Sequence, residues 1–143
     1  MRLIKFIICF ALFLNPAKSE SIYGEGELKL SDAMVGYFLT YIQGKQFKYP
    51  SDFYVTLDGT DGTYWFCSEM TNCSPGSPTQ DIKDCERKTR KKCKKFARKR
   101  VIKWKNGINP GKGKISQINS KLDLDGLKAK LTELGFYGNN PKD

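Results

Sequence analysis

Cys67, Cys73, Cys85 and Cys93 fall within one stretch of this chain, and histidine occurs nowhere in it. An even set of cysteines at short spacing reads as a disulfide framework in an oxidising compartment. Four cysteines allow three connectivities. Cys67–Cys73 and Cys85–Cys93 are expected, because both pairs are local and each closes a short loop. A zinc site is the alternative. It wants Cys-x-x-Cys pairs or histidines, and neither is present. No metal and no cofactor are therefore expected.

The N-terminus agrees with an oxidising compartment. Arg2 and Lys5 precede an uncharged apolar run from Phe6 to Leu14, which holds the fifth cysteine, Cys9. Ala17 and Ser19 then form a small-x-small pair. This order is that of a secretory signal peptide over residues 1–19. The run is shorter than the roughly 20 apolar residues a membrane span needs, which speaks against an uncleaved anchor. Removing it takes Arg2, Lys5 and Lys18 and lowers the net charge from +10 to +7. The expected protein is exported, periplasmic or extracellular, and keeps no transmembrane helix. What remains is long enough for one domain and its core.

Residues 20–30 are rich in Gly and Glu without periodicity and read as a flexible leader. Ser31 is an N-cap candidate, and Met34, Val35, Phe38, Leu39 and Ile42 recur at helical spacing, so a helix is expected over 32–43, ended by Gly44. Tyr37 and Tyr41 flank that stripe at the edge of the core. Phe53–Leu57 and Thr63–Cys67, joined by Asp58-Gly59-Thr60-Asp61-Gly62, read as a β-hairpin. The loop only faintly resembles a calcium loop, whose twelfth-position Glu is missing.

Thr79 is a second N-cap candidate, for a helix over 80–91. Phe96–Trp104 reads as one strand with Phe96, Ile102 and Trp104 on one face, ending in the turn signal Asn106-Gly107. Residues 107–121 read as an exposed, mobile, basic loop. Leu124, Leu127, Leu131 and Leu134 line a last helix over 124–134, capped by Gly135. The expectation is a single α+β domain over 31–137, followed by a tail over 138–143. In it a small antiparallel sheet carries about three helices and is stapled by disulfides.

Charge is segregated along the chain. From Arg87 to Lys121 there are fifteen Lys or Arg residues and no acid. A stretch of one sign raises a local positive potential and attracts polyanions. Arg87, Arg90, Lys91, Lys94, Lys95, Arg98, Lys99 and Arg100, with Lys112 and Lys114 folding back, are the candidate anion-binding residues. The competing reading is a solvated basic face: cations suit a helix C-terminus, and edge-strand lysines guard against aggregation.

Catalysis has little support. Without histidine no Ser-His-Asp or Cys-His arrangement can form. Gly107-Ile108-Asn109-Pro110-Gly111-Lys112-Gly113-Lys114 is one residue short of a phosphate loop, and its Lys is followed by Gly. A non-catalytic protein is expected. Its anionic partner is to be sought among envelope lipid head groups, acidic glycans, nucleic acid and acidic proteins. The alternative is an accessory envelope subunit that docks through its C-terminal amphipathic helix.

Asp81-Ile82-Lys83-Asp84-Cys85 through Cys93, then Lys95-Phe96-Ala97-Arg98-Lys99-Arg100, Ile102, Trp104 and Asn106-Gly107-Ile108-Asn109-Pro110, resembles a family of small, uncharacterised exported bacterial proteins. Tyr64–Cys73 and the ending Leu131-Thr132-Glu133-Leu134-Gly135-Phe136-Tyr137 are similar to theirs too. The resemblance covers most of the mature chain. It implies export and local disulfides and assigns no particular activity.

Overall fold

The computed structural model describes residues 19–68 and 77–138. Residues 1–18 of the signal segment, Cys73 of the Cys67–Cys73 pairing and residues 139–143 of the tail lie outside the described residues.

Helix α1 (Asp32–Gln43) starts where the sequence places its cap: the Ser31 side chain accepts the Met34 amide. Gly44, at φ 72°, ends it, and its N–H donates to the Tyr41 carbonyl. The expected hairpin forms from β1 (Lys48–Thr56) and β2 (Gly62–Ser68). Helix α2 (Pro78–Thr89) precedes β3 (Cys93–Arg98) and β4 (Val101–Ile102), and α3 (Leu124–Glu133) closes the fold. The sheet is antiparallel with strand order β2-β1-β3-β4. The chain is thus the α+β fold its patterning predicts.

Alternation along β1 splits the core. Phe53 and Val55 point to one side and pack with Phe38 and Ile42 of α1 and Leu127 and Leu131 of α3. Tyr54 points to the other side and meets Cys85 and Cys93 under α2. Phe96 is an extra residue in β3, since Phe53 pairs with Ala97 and Tyr54 with Lys95. This bulge lets Phe96 and Ala97 both join the larger cluster. The expected Cys85–Cys93 disulfide is formed and ties α2 to the start of β3. In the chain-entropy model a loop that short contributes about 2–3 kcal/mol.

Five expectations are corrected. The leader over 20–30 is packed: Tyr23 bridges Lys95 and Glu25 bridges Lys105 in parallel pairing, while Leu28 and Leu30 are buried. The reason is Gly24, whose backbone lies against the Trp104 ring; a Cβ there would come within 1.9 Å of it. Trp104 Nε1 donates to the Gly26 carbonyl at 2.9 Å and fastens the segment.

The single strand over Phe96–Trp104 is interrupted by a turn at Lys99 and Arg100, with Lys99 left-handed at φ 54°. Phe96, Ile102 and Trp104 are buried as expected, but from both sides of that turn. Helix α2 is capped by Ser77 instead of Thr79, because Pro78 occupies a first-turn position where a missing N–H is harmless.

The loop over 107–121 is tied down by buried polar groups. Asn109 donates to the Ile102 and Trp104 carbonyls, Ser116 donates to Asn109 Oδ1, and Ile118 is buried. The α3 face also bears on function. Leu127, Leu131 and Leu134 are buried in the chain's own core and Leu124 alone is exposed, so this face is not free to dock on a partner.

Candidate anion-binding site

From the end of α1 into β1 the sequence reads Gly44-Lys45-Gln46-Phe47-Lys48-Tyr49. It makes a tight turn because Lys45 and Lys48 exchange backbone hydrogen bonds, at 3.2 and 2.9 Å. Phe47 sits in this turn at φ 60°, a region bulky residues seldom adopt, and its side chain is 66 % exposed. Tyr49 is half exposed beside it, and Lys45 Nζ lies 5.7 Å from the centre of the Phe66 ring.

The β3–β4 turn adjoins this one. The Lys99 amide donates to the Ser51 carbonyl at 2.6 Å. The buried Tyr41 hydroxyl donates to the Lys99 carbonyl at 2.7 Å, with the Ser51 carbonyl at 3.0 Å. Burial first, and the Asp52 charge second, push the Tyr41 pKa up, so the hydroxyl stays a neutral donor. Arg100 Nε donates at 2.7 Å to the Ile42 carbonyl in the last turn of α1, where a cation is favoured. Lys45, Lys48, Lys99 and Arg100 therefore gather on two adjoining turns. Among the described residues none of the four has a carboxylate within ion-pair distance.

Of the ten predicted residues, this end takes Lys99 and Arg100. Lys95 leaves the candidate set: it is 1 % exposed, its Nζ lies 3.0 Å from Asp52 Oδ1, and the Tyr54 and Tyr23 rings flank it. Arg98 stands opposite Asp52 in the β1–β3 register. Three more candidates are matched by acids that lie outside the basic run. Arg87 pairs with Asp84, Lys91 with Asp58, and Lys94 with Glu20. Lys91, foremost, and the Thr56 hydroxyl hold the Asp58 carboxyl below its usual range. Arg90 is exposed in the left-handed C-cap of α2.

Lys112 joins Lys103 and Lys105 around a cleft of about 270 Å³ that Tyr23, Gly24 and Glu25 also line; Lys114 is exposed on the same loop. A run continuous in sequence is thus divided in space, and much of its first half is neutralised.

Lys45, Phe47 and Lys48 escape a reading that follows charge density, because only two cations stand there, far in sequence from the basic run. The available signal is local: a lysine–aromatic alternation without acids, directly after a glycine-capped helix.

No family model, curated protein or solved structure matches the chain. Among the described residues no helix is long and apolar enough to cross a membrane, and no cluster of three or more His, Cys, Asp or Glu side chains is placed to hold a metal ion.

Proposed function

We propose that this is a non-catalytic, exported binding protein, and that the end formed by the α1–β1 and β3–β4 turns seats an anionic partner. The observation that carries the reading is the grouping of Lys45, Lys48, Lys99 and Arg100 without an ion-paired carboxylate among the described residues. A cation left without a partner at a surface retains its field, whereas Lys91 and Lys94 spend theirs on Asp58 and Glu20. Both turns are held by backbone hydrogen bonds, so little ordering is required on binding. The Cys85–Cys93 bond and the N-terminal signal pattern support export.

The test is a heparin titration against salt. With three to four contacts, log K is expected to fall with log salt at a slope of about −3. Lys45→Gln, Lys48→Gln and Lys99→Gln together should bring the slope to about −1 and lower the affinity at least tenfold at low salt. Arg100 is left in place because it caps α1. Replacing Lys103, Lys105 and Lys112 by Gln makes the same change in net charge and should alter binding far less. Equal losses from both triples would mean that only net charge matters, and would overturn the assignment of the site.

A further inference from the structure

Charge alone leaves the most exposed large apolar side chain of the described residues unexplained. That side chain is Phe47, at 66 % exposure, and it stands between the lysines of the candidate site. We propose that this end docks on an anionic bilayer surface: Phe47 enters the headgroup layer while Lys45, Lys48, Lys99 and Arg100 meet lipid phosphates. The inference rests on the anionic-partner reading and names the partner.

Three observations favour a bilayer over a soluble polyanion. First, the ring is displayed by a turn that closes on itself through the paired Lys45 and Lys48 backbone groups, at φ 60°, where glycine would sit without strain. A bulky residue held there is kept against conformational preference. Second, Tyr49 is half exposed next to Phe47, and aromatic side chains are the ones that settle at the membrane–water interface. Third, Lys45 and Lys48 stand on either side of Phe47 along the turn, and lysine stems can lie along an apolar layer while their ammonium groups reach phosphate. A single apolar anchor holds a protein to a membrane weakly. An anchor joined to a basic patch holds it better, and then only when the lipids are anionic.

The probes are vesicles of phosphatidylcholine alone, vesicles containing phosphatidylglycerol, and heparin, each with the full protein. Wild type should float with the phosphatidylglycerol vesicles and not with pure phosphatidylcholine. Phe47→Ala should lose about tenfold in vesicle partition, as expected for withdrawing one aromatic side chain from an apolar layer, and far less in heparin affinity, because all the cations remain. Phe47→Gly serves as a second variant. It removes the same ring while relieving the backbone, so a loss of vesicle binding with unchanged or raised thermal stability cannot be blamed on misfolding.

Vesicle binding that survives both Phe47 variants would overturn the docking. Heparin binding without vesicle binding would overturn the bilayer as partner and leave the anion site standing. Failure with both probes would remove the anion site itself, and the docking with it.

Discussion

Replacing Lys95 by Ala is expected to destabilise the fold by about 3–5 kcal/mol, the loss typical of leaving one partner of a buried ion pair alone. Lys95 and Asp52 are both nearly inaccessible, and their charged atoms are 3.0 Å apart. Without the ammonium the buried Asp52 carboxylate loses its ion-pair partner and keeps Arg98, opposite it in the sheet register, as a nearby cation. The pair is nevertheless not required for stability as such. The double replacement Asp52→Leu with Lys95→Met puts apolar groups of similar length in its place and should recover most of the loss.

Urea denaturation of the two singles and the double completes the cycle. A Lys95→Ala loss under about 1 kcal/mol would show that the pair is not buried as described. The double variant also bears on function. It removes one cation of the sequence run without touching the two turns, and heparin affinity should stay at the wild-type value.

The second large effect is a contrast between two glycines. Gly24→Ala should cost about 3 kcal/mol, at the upper end for overpacking, because the new methyl would fall 1.9 Å from Trp104 Cε3. The ring cannot retreat cheaply: it is fully buried, and its Nε1 is hydrogen-bonded to Gly26. The packed N-terminal segment should be forced off the sheet, so proteolysis at residues 20–26 would accompany the loss. Gly36→Ala should act in the opposite direction. Gly36 lies within α1 and a Cβ there meets nothing within 4 Å, so a gain of about 0.5–1 kcal/mol follows from helix propensity alone. Thermal melts of the two variants decide the matter, and similar small shifts for both would contradict the packing described.

These two sites also show where sequence reasoning reached and where it stopped. Helix α1 was legible because its cap, its apolar spacing and its closing glycine all point the same way, and the hairpin because β-branched runs flank a turn of Asp and Gly. The Cys85–Cys93 bond was legible from spacing. The packed leader was not, since a stretch of Gly and Glu carries no periodicity; it is ordered by a contact between Gly24 and Trp104, eighty residues away.

Lys95 looked like one more surface cation, because nothing in the run reveals that it faces α2 in register with Tyr54. The split of the strand at Lys99 was hidden for a related reason, as left-handed lysine has no sequence signature comparable to Asn-Gly. The candidate site suffered most. Its two turns come from distant segments, brought together by the sheet register, the Tyr41 hydroxyl, and the Lys99–Ser51 and Arg100–Ile42 hydrogen bonds.

The most direct test of the anion site is a map of backbone amide shifts, recorded by NMR on the uniformly labelled protein titrated with a short heparin fragment at low salt. The account predicts shifts that saturate together at Lys45, Phe47, Lys48, Lys99 and Arg100, with Arg87, Lys91 and Lys94 little changed. Shifts concentrated at the Arg87–Lys94 segment, or spread evenly over every exposed lysine and arginine, would contradict it.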